Sequence, residues 1–192
     1  MNLDKDYWSS RYQDQKTGWD VGEITTPLKD YFDQINDKDL KILVPGAGNG
    51  YEVEYLFNQG FKNVTVIDLS ELPLQNLKNR IPDFPDSRLL CGDFFTHQGK
   101  YDLIVEQTFF CALDPAMRPD YAKKMSELLV PGGKLAGVLF NTEFEGGPPF
   151  GGDKDEYLTY FLPYFKIKTF ENCYNSIKPR AERELFMILS KP

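Results

Sequence analysis

The sequence predicts an α/β fold, a mostly parallel sheet covered by helices on both faces, and three observations carry that expectation. Apolar runs of strand length recur along the chain. Helical segments separate the first five of them, as in a sheet built from βαβ units. The run Lys41-Ile42-Leu43-Val44 breaks into Pro45-Gly46-Ala47-Gly48-Asn49-Gly50 and passes directly into a helix-forming segment.

The first strand spans Lys41 to Val44, and the glycines after it permit positive φ and keep side chains from between the backbone and a bound ligand. A helical segment follows, Glu52 to Gln59. The second strand, Val64 to Ile67, ends in Asp68, where a nucleotide-binding βαβ unit sets a carboxylate to receive both ribose hydroxyls. Glycine loop and Asp68 together point to an adenosine-type cofactor. Their plainer reading is a tight turn, with Asp68 beside the N-cap of a helix starting near Ser70. Next come a helical segment from Leu72 to Asn79, strands at Arg88 to Cys91 and Tyr101 to Val105, and a helix from Arg118 to Leu129. In that helix Tyr121, Met125, Leu128 and Leu129 follow helical spacing. Pro131-Gly132-Gly133 is expected to stop it and turn into a fifth strand, Lys134 to Phe140. The last two strands, Lys166 to Phe170 and Leu185 to Leu189, have no helical segment between them, which makes an antiparallel hairpin their natural pairing.

At 192 residues the chain fits one domain, so cofactor and substrate must share it. A net charge of -7 and a pI near 4.8 argue against nucleic-acid or anionic-membrane partners, which call for a basic face. The 15 Phe, 11 Tyr and 2 Trp exceed what a core of this size needs, so some are expected to line a pocket. Three distant cysteines, Cys91, Cys111 and Cys173, and one histidine, His97, indicate neither a disulfide framework nor a metal site. The N-terminus has no apolar signal region, and a reduced, cytoplasmic monomer is the expectation. Two segments fall outside the α/β pattern. Residues 1–35 hold Trp8, Tyr12 and Trp19; residues 141–156 hold Gly146-Gly147-Pro148-Pro149-Phe150-Gly151-Gly152. Both are expected at the strand ends, the first as an N-terminal lid and the second as a substrate-side insertion.

The landmarks, in order, are Tyr7-Trp8 with Tyr12, Thr17-Gly18-Trp19-Asp20, the loop Val44 to Glu52, and Ile67-Asp68-Leu69-Ser70. They continue with Cys91-Gly92-Asp93-Phe94-Phe95, Phe109-Phe110-Cys111-Ala112-Leu113-Asp114-Pro115 before Arg118-Pro119, and Gly147-Pro148-Pro149-Phe150. Over nearly its whole length the chain resembles a class I S-adenosylmethionine-dependent methyltransferase of the thiopurine S-methyltransferase family, with its thiol and halide methyltransferase branch. The resemblance implies a Rossmann-like, seven-stranded sheet with an antiparallel C-terminal hairpin, S-adenosylmethionine as cofactor, S-adenosylhomocysteine as product and a small-molecule acceptor. By the same resemblance Gly46 and Gly48 pass close to the methionine part of the cofactor, and Asp68, with Leu69 beside it, takes the ribose. Asp93 and Phe94 hold the adenine, Trp8, Tyr12 and Trp19 fold over the cofactor, and Gln107 lies near the reacting methyl group. Halide-directed members tend to carry Tyr where this chain has Gln107, which leaves the acceptor open.

The same residues have plainer readings. Trp8 and Trp19 could anchor an N-terminal helix, Asp93 could be a turn residue, and Phe109, Phe110 and Cys111 could be packing. As a substrate pocket we expect Trp8, Trp19 and Phe110, with Arg180 or Arg183 near the mouth if the acceptor is an anion. Those arginines stand in Lys178-Pro179-Arg180-Ala181-Glu182-Arg183, a basic cluster in an acidic chain whose plainer reading is a solvated loop. Methyl transfer to a thiolate or halide is an in-line displacement that needs no strong base, and proximity alone can supply roughly 7 to 11 kcal/mol. Two other classes share the glycine loop: an NAD(P)-dependent reductase, which more often shows GxGxxG spacing and an acid such as a Tyr-Lys pair, and a non-catalytic S-adenosylmethionine-binding module.

Overall fold

The computed structural model describes residues 3–192. Seven strands, β1 (Lys41–Pro45), β2 (Asn63–Asp68), β3 (Leu89–Cys91), β4 (Tyr101–Gln107), β5 (Leu129–Phe140), β6 (Lys166–Asn172) and β7 (Glu184–Ser190), form one sheet in the order β3-β2-β1-β4-β5-β7-β6. Strands β1 to β5 pair in parallel, and β7 runs antiparallel to both β5 and β6. The expected sheet and its closing hairpin are both present.

Alternation along the strands builds a core on each face. Ile42 and Val44 of β1 pack with Leu28 and Phe32 of α2 (Thr26–Asp33), Val53 and Leu56 of α3 (Tyr51–Asn58), and Leu74 and Leu77 of α4 (Glu71–Arg80). Leu43, between them, points the other way, into a cluster with Tyr121, Met125 and Leu128 of α5 (Arg118–Leu128) and Tyr157 and Phe161 of α6 (Lys154–Phe161). Each side chain so buried contributes about 1.5–3 kcal/mol, and the two clusters hold the sheet between helical layers.

The structure departs from expectation in two places. α5 ends at Leu128 and β5 begins at once, so Pro131-Gly132-Gly133 lies inside the strand. There the register slips, Tyr101 facing Leu129 while Leu103 faces Lys134, and the extra residues bulge out to bond Lys191 through Gly132 N (3.0 Å) and Gly133 O (2.9 Å). Pro131, lacking a donor, is tolerated in a bulge and not in a regular ladder. Three helices also stand where the apolar pattern predicted no regular element, the first of them allowed only by the plainer reading of Trp8 and Trp19: α1 (Lys5–Gln13), α2 and α6. α1 buries none of its residues, so it carries no apolar stripe to read. α2 opens on Pro27 in its first turn, and α6 is capped by Asp153, whose side chain accepts from Glu156 N at 2.9 Å.

Candidate active site

The chain order reverses between β1 and β4, and at that switch a cleft of about 1280 Å³ opens beyond the carboxyl ends of the strands. Its floor is the set of loops that follow β1, β2, β3 and β4; its far side is Phe140, Phe144 and the β6–β7 connection; α1 and the segment behind it close the top.

The glycine loop is shaped by what lies against it. Gly46 has φ +56°, and a Cβ there would meet the Phe109 ring at 2.2 Å. Gly48 has φ +53°, and a Cβ would come within 2.9 Å of the Tyr12 hydroxyl. Both positions therefore exclude a side chain by backbone and by space. Asp68 Oδ2 accepts from Gly48 N at 3.0 Å and Oδ1 from Ser70 N at 2.9 Å. Burial pushes its carboxyl upward in pKa while these amides pull it back, and each oxygen keeps lone pairs for further donors. Asp93 caps a short 3-10 turn, Phe94–Thr96, with Oδ1 accepting from Phe95 N at 2.8 Å, which leaves Oδ2 for a ligand. It is both the turn residue of the plainer reading and a cleft residue. Phe94 lies edge-on to Phe109 at 5.2 Å.

The segment before β1 is fastened over the cleft by side chains. Trp19 packs edge-on against Trp8 at 5.7 Å and Tyr12 at 5.9 Å. Ser9 bonds Ser70 at 2.9 Å, Asp20 accepts from Asn49, the Trp19 carbonyl accepts from Arg180 Nη2 at 2.8 Å, and Thr25 Oγ1 donates to Gln107 Oε1 at 3.0 Å.

Sequence reasoning missed the residue that shapes the cleft floor after β4. Glu106 is fully buried at the end of an apolar strand; its Oε1 accepts from Phe109 N (2.8 Å) and Phe110 N (3.0 Å), and its Oε2 accepts from the Tyr121 hydroxyl. These bonds hold a turn in which Thr108 takes φ +58°, a conformation uncommon for residues other than glycine. Burial raises the Glu106 pKa to about 7 against the pull of those three donors. The turn sends Phe109 and Phe110 opposite ways. Phe109 lies against the glycine loop and lines the cleft, whereas Phe110 is 1% exposed, packed on Tyr121 and Tyr157 at 5.0 and 5.1 Å, and does not line it. The expectation for Phe110 is corrected: its side chain belongs to the α5–α6 core. An acidic residue directly after the apolar run Leu103-Ile104-Val105 was the available signal for Glu106.

The other expected residues, Trp8, Tyr12, Trp19, Gly46, Gly48, Asp68, Leu69, Asp93, Phe94, Gln107, Arg180 and Arg183, all line the cleft. The two arginines differ. Arg183 is exposed beside Phe144, and Arg180 is 7% exposed, 5.8 Å from the Phe140 ring centre and 3.6 Å from Glu184. Among the described residues four buried side-chain nitrogens have no hydrogen-bond partner, and three of them, Arg11 Nε, Gln107 Nε2 and Arg180 Nη1, belong to cleft residues. The fourth, Arg118 Nε, is in an arginine that pairs with Glu156 at 2.7 Å and bonds the Gly151 carbonyl at 2.8 Å, pinning residues 141–156 beside the cleft. Buried donors without a hydrogen bond are costly, and Arg180 Nη1 has only its 3.6 Å ion pair with Glu184, so three in one cleft call for a ligand rich in acceptors. S-adenosylmethionine supplies a carboxylate, ribose oxygens and ring nitrogens, and the donors, the free lone pairs of Asp68 and the side-chain-free glycine loop fit it.

The family model for thiopurine S-methyltransferase (TPMT) matches residues 3–188. A protein of Arabidopsis thaliana named probable thiol methyltransferase 2 is 32% identical over 162 residues, covering 81% of this chain and 71% of that protein. Thiocyanate methyltransferase 1 of Brassica oleracea is 32% identical over 184 residues, covering 92% of this chain and 81% of that protein. Among solved structures, 1,6-didemethyltoxoflavin-N1-methyltransferase of Burkholderia thailandensis superposes with a TM-score of 0.74 over 97% of this chain and 86% of that one, at 18% identity, and shares the fold.

Proposed function

This chain belongs to the thiopurine S-methyltransferase family, and from that premise we propose that it methylates a small, soft nucleophile bound between Gln107 and Arg180, a thiol before all others. It is an S-adenosylmethionine-dependent methyltransferase, and the reductase reading has no support. The observation that carries the acceptor reading is a pair of buried donors without a hydrogen bond in one cleft: Gln107 Nε2, and Arg180 Nη1, which has only the Glu184 carboxylate at 3.6 Å. Thr25 already occupies the Gln107 amide oxygen, so the amide nitrogen is the group left to meet an electron-rich atom.

When bound, the cofactor supplies an electrophilic methyl group on a sulfonium. The remaining work is positional. Asp68 offers its free lone pairs to the ribose hydroxyls, Asp93 Oδ2 and Phe94 offer an acceptor and a face to the adenine, and Arg11 Nε is the free donor for the carboxylate. Trp8, Tyr12 and Trp19 exclude water and present π faces to a cation. Residues 1–35 act as a lid, the first two lying outside the described residues, and residues 141–156 border the acceptor end of one catalytic domain. The acidic chain acts on a free small molecule as a cytoplasmic monomer, without nucleic acid or membrane; among the described residues no helix is long and apolar enough to cross one.

The test is calorimetry of S-adenosylhomocysteine on the purified protein, followed by methyl transfer to a panel of thiols, hydrosulfide and halides. Asp68→Ala is expected to weaken the product complex by about 2 kcal/mol, roughly 30-fold. Tight cofactor binding with no transfer to any acceptor would instead favour a non-catalytic binding module.

A further inference from the structure

The cleft contains a buried carboxylate that the reading above leaves without work. Glu52 opens α3 directly behind the glycine loop, is 6% exposed and lines the cleft. Of the other acids at this end, Glu23 is exposed and the rest are committed: Asp4 to Tyr7 N, Asp20 to Asn49, Asp68 to two backbone amides, Asp93 to Phe95 N, Glu106 to three donors, Asp114 to Ala116 N. Glu52 has no ion pair within 4 Å among the described residues, and the one hydrogen bond that bears on its ionisation is from its own backbone amide. A soft acceptor that arrives as a neutral thiol must lose a proton before or during transfer, and nothing yet described receives it.

We infer that Glu52 is the general base of this cleft, taking the S–H proton of a neutral thiol while Gln107 Nε2 and Arg180 Nη1 hold the sulfur as it becomes anionic. The inference rests on the proposed thiol acceptor. In the step the S–H bond breaks and its proton passes to a Glu52 oxygen. The electron pair left on sulfur becomes the new S–CH3 bond, and the pair of the broken sulfonium bond stays on the departing sulfur, which ends neutral. Glu52 then returns the proton to solvent through the open cleft.

The surroundings of Glu52 suit that task. Burial raises its pKa to about 7, and Asp20 from the N-terminal segment pushes the same way; its own amide and Arg180 from the β6–β7 connection push down. Tyr51, beside it on α3, is itself raised by burial and Asp20. On α2, Lys29 pairs with Asp33, Asp33 accepts from Tyr55, and Asp30 accepts from Asn175, so these groups are engaged away from the cleft. A base that titrates near neutrality is well matched to a thiol, whose ordinary pKa is about 8.5, and such a base is worth 10²–10⁴ in rate.

Glu52→Gln keeps shape and burial and removes the proton site. Its kcat/KM is expected to fall about 100-fold for an alkane thiol and less than threefold for an aryl thiol already ionised at the assay pH. The rise of kcat/KM through pH 7 expected of the parent with the alkane thiol should vanish. Calorimetric affinity for S-adenosylhomocysteine should stay within twofold. Equal loss on both thiols, or a tenfold weaker product complex, would assign Glu52 to cofactor binding and overturn the inference, as would no loss at all. If glutamine prevents folding, Glu52→Asp carries the same comparison, with loss confined to the alkane thiol and the pH limb retained. A parent protein that methylates neither thiol would fail the proposed function itself, a result distinct from any of these.

Discussion

Glu106→Gln probes the buried carboxylate under the cleft floor, and the structure sets both sign and size of its effect. The folded pKa of Glu106 is about 7 against an ordinary glutamate value of 4.5. The native state therefore binds the proton more tightly than the unfolded chain, and this group adds stability in acid that is lost as pH rises through 7. Between pH 5.5 and 8.5 the loss is about 2 kcal/mol. Glutamine cannot titrate. Its amide oxygen can still accept from Phe109 N and Phe110 N, while the Tyr121 hydroxyl loses its acceptor, a pH-independent cost of about 1 kcal/mol. Urea unfolding of parent and variant at the two pH values isolates the difference, because every other titrating group cancels. The stability gap should move by about 2 kcal/mol in favour of the variant on going from pH 5.5 to 8.5, equivalent to about 1 M in urea midpoint. A gap constant to within about 0.5 kcal/mol would show that Glu106 does not titrate in this range and would refute the reasoning.

Gly46→Ala puts a methyl group 2.2 Å from the Phe109 ring at φ +56°, so we expect about 1–3 kcal/mol of lost stability and a weaker S-adenosylhomocysteine complex, read by thermal unfolding and calorimetry. Arg118→Met removes a 2% exposed guanidinium that holds Glu156 and Gly151; unfolding should cost about 3 kcal/mol, with faster proteolysis within residues 141–156. Arg180→Ala should raise KM for an anionic acceptor about tenfold, roughly 1.4 kcal/mol, and leave KM for an uncharged one little changed in steady-state assays.

What the sequence made legible was whatever period and punctuation encode. Strands with a continuous or alternating apolar pattern, the glycine loop, and Asp68 at a strand end could all be read because a local rule demands those residues there. α1 could not, since its side chains meet α4 and the cleft rim through Ser9, Lys5 and the aromatic cluster and not through a buried stripe. The roles of Phe109 and Phe110 were also hidden. Adjacent and chemically alike, they are separated by the turn at Thr108, whose strained backbone is set by Glu106 and Tyr121 in the folded protein. Glu52 escaped notice because a glutamate in the first turn of a helix is ordinary until the fold buries it.

The strand order also bears on the order in which parts of the cleft can form during synthesis. β6 touches the sheet only through β7, which follows it in the chain and wedges between it and β5. On a ribosome the first five strands, with the glycine loop and Asp68, can assemble while β6 and the Arg180 connection wait for the final strand to emerge. The end of the cleft built from the glycine loop and Asp68 can thus be complete before the Arg180 end exists. A chain stopped before Glu184 would leave β6 without its strand partner and Arg180 without Glu184, so that loss of the last nine residues would undo the end of the cleft at which we propose the acceptor binds.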